Sequence, residues 1–461
     1  MTFENIQEVF EFVYGRGKNK IGRFDKKVVF SPRIIAFFDK LDNPQKKIKI
    51  VHVAGTSGKG STCNFLSHIL SSQGFKVGMS VSPYLEKFNE RIQFNNISIT
   101  DQKFLEYFNE CYPFLLEVES DINDLLSTFE ILVGITYWAF WKEKVDYGII
   151  EVGMGGRLDG TNVPNPSKLC VLNSIGLDHM VSLGDTLELI AGEKAGIIQK
   201  GNLVVALAQT ADVNKVFQDK ADSESVDLEF IFPEFDFETP TVKIDQETQR
   251  PVLNFVYNDS ELEAHSLELS QIGDYQASNC ALALRAVETL ADRDVWNIDW
   301  SKIAQELKVT TFNGRFQFYN LPNKRLLILD GAHNPQKMQG FTTSVAKYFP
   351  NKKFNWIVGF KETKDISEIM DFVLANLGNI NKIIITEFDV NIQKLAEQVI
   401  VSKLTSEISE CLDSKGYTNY KVEPDLKKVI DMVKNSHNDC IVTGSLYLVG
   451  SCLNILNGNI V

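Results

Sequence analysis

Residues 51–70, VHVAGTSGKGSTCNFLSHIL, carry the densest chemical signal in the chain. A strand-like apolar run enters a glycine-rich turn and leaves as an amphipathic helix pattern. Gly55, Gly58 and Gly60 free the backbone, Thr56 and Ser57 fill the turn, and Lys59 places a cation between two glycines. Ser61 and Thr62 follow with hydroxyls able to reach a phosphate or a Mg²⁺ ion. Successive N–H groups in such a turn can point at one phosphate, and the helix N-terminus and the lysine add positive charge. The match to Gly-x4-Gly-Lys-[Ser/Thr] is broken, because position 53 is Val and Gly60 separates Lys59 from Ser61. The alternative reading is a tight strand-to-helix turn with a solvated lysine. The flanking strand and helix supply the context that a phosphate loop requires.

Such a loop needs a sheet to hold it. KIKIVHVAG (47–55), KVGMSVS (76–82), YGIIEVG (147–153), KLCVLNSI (168–175) and NLVVALA (202–208) read as buried strands, separated by segments of helical period. Near-continuous apolar strands suit a parallel sheet covered on both faces. Glu151 ends one of them, at the strand end where open α/β sheets place ligands. PVLNFVY and ELEAHSLEL, either side of Asn258-Asp259-Ser260, read as a hairpin. After a helix at 275–291 and a polar, glycine-containing stretch at 307–320, alternation restarts with RLLILDGAHNP, KFNWIVGF, KIIITEF and DCIVTGSLYLVG. The expected architecture is α/β: a P-loop-containing parallel-sheet ATPase domain over 1–309, then a smaller Rossmann-like α/β domain over 310–461, with a hinge at 309–313.

A net charge of −13 argues against general binding to nucleic acid or anionic membrane. Seven scattered cysteines without Cys-x-x-Cys spacing suit a reducing cytoplasm. The N-terminus has no apolar signal core, and ILVGITYWAFW (131–141) is far short of the ~20 residues that span a bilayer. It reads as a buried helix.

The variant loop order Gly-Thr-x-Gly-Lys-Gly-Ser resembles that of the Mur ligase superfamily, and the remaining motifs resemble its folylpolyglutamate synthase/dihydrofolate synthase branch. LDNPQ (41–45), SPYLEKFNERI (82–92), STFE (127–130) and EVGMGGRLDGTN (151–162) occur in the family's order. They are followed by LDHMVSLGDTLELIAGEKAGI (177–197), GRFQ (314–317), LDGAHNP (329–335) and TGSLYLVG (443–450). EVGMGGRLDGTN is the most specific. Ser57, Tyr84 and Tyr275 depart from the family's usual Asn, His and His.

The resemblance implies an ATP-dependent amide ligase that joins L-glutamate to 7,8-dihydropteroate, to (tetrahydro)folate polyglutamates, or to both, through an acyl phosphate. ATP, glutamate and the pteroate or folate acid are the implied partners, in a cytoplasmic monomer. It assigns Mg²⁺ to Ser82, Glu151 and His179 with help from Ser61, and a carbamylated side chain to Lys194. From sequence alone His179 reads as a local hydrogen-bonding residue, and Lys194 as a surface lysine paired with Glu193. Asn279, Arg315 and Asp330 would join the P-loop in holding the nucleotide; Asn279 also reads as a helix-start amide. His333 is a candidate for the incoming glutamate or the transition state, and Ser445 for that amino acid's carboxylate. Ser127, Thr128, Phe129, Glu130, Leu158 and Asp159 would form the pteroate end, where Phe129 reads equally as a core residue. Two other functions fit parts of the pattern: a Mur-type UDP-muramyl-peptide ligase, and a P-loop regulatory ATPase without ligation. A monofunctional folylpolyglutamate synthase is the near variant of the first reading.

Overall fold

The computed structural model describes residues 2–15, 30–165, 168–246, 250–321, 325–391 and 399–458. The apolar runs form a first sheet of eight strands. Across it run Ile97–Ser98, Gln93–Phe94, Val77–Ser80, Tyr147–Glu151, Lys49–Ala54, Lys168–Leu172, Leu203–Leu207 and Leu228–Ile231. Six are parallel, and a short antiparallel hairpin at 93–98 closes one edge. That hairpin and the strand Leu228–Ile231 lack long apolar runs and do not stand out in the sequence.

The P-loop strand is central. Val53 is level with Glu151 on one side, and Ala54 with Leu172 on the other. Gly55, Glu151 and Asn173 therefore emerge together at one edge of the sheet, a direct consequence of parallel register. The apolar run at 131–141 lies inside the helix Thr128–Lys142, most of whose residues are buried. The helix Asp274–Asp294 packs against the P-loop helix Lys59–Ser72; Ala277, Cys280, Ala281 and Ala283 are buried along it, small enough for close approach.

Thr241–Ile244, Pro251–Asn258 and Ala264–Leu269 make a three-stranded antiparallel sheet, and the last two are the hairpin read at 251–269. The chain then crosses through 308–316 to a six-stranded sheet. Its order is Gln317–Asn320, Leu326–Leu329, Cys440–Thr443, Phe354–Val358, Ile380–Ile385 and Tyr420–Val422, with only the first strand antiparallel. All seven cysteines are free thiols. Among the described residues no helix is long and apolar enough to cross a membrane.

Candidate active site

The carboxyl edge of the first sheet faces the second domain across a cavity of about 290 Å³. From the first sheet it is lined by Thr56 to Ser61, Glu151 and Asn173. The helix Asp274–Asp294 contributes Tyr275 and Asn279, and the second domain contributes Arg315, Asp330, Gln336 and Lys337.

The loop is built to leave one set of amides bare. Thr56 N–H and Ser57 N–H both donate to Ser174 O, at 2.8 and 3.3 Å. Gly58 caps the next helix in the left-handed region at φ +83°, where a Cβ would lie 2.2 Å from Asn279 Oδ1. The amides of Lys59, Gly60 and Ser61 open that helix and have no carbonyl behind them to accept. The amides left free for an anion are therefore those of the helix start, while Thr56 and Ser57 anchor the loop to the neighbouring strand end. Lys59 Nζ donates to Gly55 O at 3.0 Å, so the ammonium is held over its own turn.

Beneath the loop runs a chain of amides. Asn173 Nδ2 donates to Thr62 Oγ1 at 2.7 Å and to Asn279 Oδ1 at 3.0 Å, and Asn279 Nδ2 donates to Gln276 Oε1 at 2.9 Å. Asn279 thus faces the cavity with both amide atoms already engaged. Asn173 has no motif to announce it; its only signal is its place at the end of the strand beside the P-loop.

Glu151 is buried and accepts the Ser82 N–H at 2.7 Å. Burial pushes its carboxyl above the usual range, and Lys59, the Ser82 amide, Arg315 and Lys337 pull against that. Its other oxygen is aimed toward Gly60, 3.7 Å from where a Cβ would sit. No cation stands within ion-pair distance of it among the described residues. A buried carboxylate oxygen and the Ser61 hydroxyl on the cavity wall form an oxygen donor set, which fits Mg²⁺ shared with phosphate and water. Ser82 supports this set through its backbone. His179 sits exposed at φ +53°, capping the turn Met180–Leu183. Among the described residues, the one converging trio of metal-ligand side chains, Asp259, Glu263 and His265, lies on the antiparallel hairpin. There Asp259 already accepts the Glu261 and Glu263 amides and bonds His265.

Lys194 is buried, unlike a surface lysine, and Glu193 pairs instead with Arg157 at 3.0 Å. Burial, reinforced by Lys59, pushes the Lys194 ammonium down to about 7. Asp178 joins the two lobes: it accepts Asn334 Nδ2 at 3.0 Å and pairs with Lys364 Nζ at 3.2 Å. Burial opposes its ionisation, but Lys364, the His179 ring and the Asn334 amide together hold its carboxyl well below the usual range.

In the second domain, Asp330 accepts the Phe316 and Ala332 amides, each at 2.8 Å, and so binds the crossing segment to its own strand end. The Arg315 guanidinium lies over the Phe312 ring, and Phe312 in turn approaches Gly60. His333 Nδ1 lies 2.7 Å from Gly331 O, and its Nε2 lies 3.3 Å from Lys337 Nζ. Ser445 caps the helix Leu446–Leu456 through Tyr447 N–H and does not line the cavity.

The residues expected at the pteroate end do not line this cavity and are heavily used in folding. Ser127 and Glu130 form a reciprocal capping box on the helix Thr128–Lys142. Glu130 also takes Ser31 Oγ at 2.7 Å and pairs with Arg33 at 3.1 Å, and Thr128 Oγ1 donates to Val13 O at 2.9 Å. The Phe129 ring packs against Gly153 and Gly160, where added Cβ atoms would meet it at 2.6 and 3.2 Å. Asp159 accepts Met154 N–H and Thr161 N–H inside the loop that also holds Leu158.

This geometry has close relatives. Residues 53–287 match the Mur ligase middle domain, and residues 315–455 match the dihydrofolate synthetase C-terminal domain. The chain is 33% identical over 352 residues to the folylpolyglutamate synthase of Lacticaseibacillus casei, covering 76% of this chain and 79% of that one. It is 31% identical over 413 residues to the dihydrofolate synthase/folylpolyglutamate synthase of Bacillus subtilis, covering 89% and 91%. Among solved structures, the apo form of the L. casei folylpolyglutamate synthase superposes with a TM-score of 0.80 at 26% identity, covering 98% of this chain and all of that one. A folylpolyglutamate synthase complex with AMPPCP and folate gives a TM-score of 0.77 at 27% identity, covering 98% and 99%.

Proposed function

Since the chain belongs to the folylpolyglutamate synthase/dihydrofolate synthase family of Mur ligases, we propose that it joins L-glutamate to a pteroate or folate carboxylate at the expense of ATP. The observation that carries this reading is the cavity itself: unpaired helix-start amides and Lys59 on one wall, Arg315 and Lys337 on the other, and a buried Glu151 between them.

A carboxylate is a poor acyl donor because its oxygen leaves badly. A carboxylate oxygen of the pteroate or folate acid forms a new bond to the γ-phosphorus, the β–γ bridging bond breaks, and ADP departs with the electron pair. The glutamate amine, as a free base, then attacks the acyl carbon. Its proton is released and phosphate leaves from the tetrahedral intermediate. The chain's contribution is charge and exclusion of water: the amides of Lys59–Ser61 and the Lys59 ammonium hold the triphosphate, and Arg315 offsets charge on it. Glu151 and Ser61 would hold Mg²⁺, which when bound neutralises phosphate oxygens. Asp330 and Asn279 fix the walls on which the nucleoside rests. Domain units at 1–309 and 310–461 belong to the same proposal, as do a single-chain active species and a cytoplasmic location.

Lys194 supports a finer step. A neutral lysine amine can add CO₂ and lose a proton to give an anionic carbamate. Its burial without a carboxylate partner among the described residues, close to the Lys59 charge, favours that exchange of cation for anion.

Relatives bear both the single and the double activity name, so the test uses two acceptors. ADP release is measured with glutamate plus 7,8-dihydropteroate, with glutamate plus tetrahydrofolate, and with each component omitted. Release that needs both glutamate and a pterin acid is the expected result. Release with ATP alone would favour a regulatory ATPase, and release with a UDP-muramyl peptide a cell-wall ligase.

A further inference from the structure

Resting on the ATP-dependent ligation above, we propose that Lys337 is a further catalytic residue, a cation that the second domain presents to the γ-phosphoryl group opposite Lys59. It is the third residue of the helix Pro335–Tyr348, whose cap Asn334 accepts the Lys337 backbone amide at 2.9 Å. Its side chain lines the nucleotide cavity, and no carboxylate lies within ion-pair distance of it among the described residues. Among the described residues its one side-chain hydrogen-bond partner is His333 Nε2 at 3.3 Å. The other ring nitrogen of His333 faces the Gly331 carbonyl at 2.7 Å, and a carbonyl only accepts. The proton therefore sits on Nδ1, Nε2 is an acceptor, and Lys337 is the donor. One ammonium hydrogen is spent on His333, and the others are left for the cavity.

Neither carboxylate of the cavity pairs with Lys337 among the described residues. Asp330 is held by two backbone amides, and Glu151 is held by Ser82. Burial, with Lys59 and Arg315 nearby, pushes the Lys337 ammonium down to about 7. Asp178 offsets only part of this, and an ammonium kept among other cations with no carboxylate in direct contact is costly unless an anion occupies the space between them. Lys59, Arg315 and Lys337 line the same cavity as Glu151, the carboxylate fit for Mg²⁺, and all three lower its pKa. The neighbouring Gln336 accepts Ser57 Oγ at 2.8 Å, so the first turn of this helix is tied directly to the phosphate loop. Lys337 stays protonated through the transfer. It gives up no proton and forms no bond, and acts by offsetting charge as the γ-phosphoryl group moves from ADP to the acid.

The test uses the full chain with Lys337→Met and Lys337→Arg. Affinities for ADP and for the β,γ-methylene analogue of ATP are measured by calorimetry, and kcat and KM in the ligation assay. The expected result for Lys337→Met is ADP affinity within about threefold of wild type and the analogue bound at least about 10-fold more weakly. It should also show a kcat lowered by about 10- to 100-fold, with Lys337→Arg recovering part of the loss. Equal weakening of ADP and analogue, or a kcat within about twofold of wild type, would overturn the assignment. If Lys337→Met does not fold, Lys337→Gln takes its place under the same criteria. The binding comparison needs no turnover, so it decides the role of Lys337 even if the wild-type chain fails the ligation assay and the functional reading falls.

Discussion

Lys194 and Lys337 have no carboxylate within ion-pair distance among the described residues, and each gives a measurable prediction. Both titrate near 7 in the folded chain, against an ordinary lysine value of 10.5. Between those values the unfolded chain binds more protons than the folded one, so unfolding free energy rises with pH. Below about 7 both states are protonated and the penalty is fully present; above 10.5 both are neutral and it is gone. In CO₂-free buffer, unliganded Lys337→Met should therefore melt above wild type near pH 6.5, and the gap should narrow by pH 9.5. A gap that stays constant or widens contradicts this. For Lys194, Lys194→Ala should lose ligation and regain part of it in acetate, whose carboxylate replaces the carbamate. A fully active variant without acetate would rule the carbamate out. At this scale the sequence showed which residue types matter but not how they are engaged. Lys194 next to Glu193 reads as a surface pair until the helix is turned and Arg157 takes the glutamate.

At the scale of elements, the P-loop strand was legible because its apolar run, glycine turn and helix form one local pattern. The division of labour within the turn was not. Thr56 and Ser57 give their amides to Ser174, a residue far along the chain, and only parallel register brings them together. The STFE segment carries the opposite lesson. The resemblance implies a ligand site there, and in the fold Ser127 and Glu130 also complete a capping box while Glu130 anchors Arg33. Ser127→Ala should cost about 1 kcal/mol of stability, as the loss of an N-cap does. Urea unfolding measures this, and KM for the pterin acid in the same variant separates the cap from a binding role. Unchanged stability with a raised KM would return Ser127 to the substrate site.

Across the whole molecule, the alternation of strands and helices before and after residues 308–316 was plain in the sequence, because buried parallel strands write themselves as continuous apolar runs. What could not be read is the contact between the two sheets. Ser57 and Gln336 meet across 279 residues, and Asp178 reaches Asn334 and Lys364 from the other lobe. No local period encodes such pairs. They bring the first turn of a second-domain helix against the phosphate loop, and the proposed chemistry depends on that placement. The most direct measurement is a crystal structure of the chain with Mg²⁺ and the β,γ-methylene analogue of ATP. The β-phosphate should lie on the amides of Lys59–Ser61, with the γ-phosphate between Lys59 and Lys337 and the metal at Glu151. A triphosphate bound away from Gly58 and Glu151, or touching only one of the two lobes, would contradict the account.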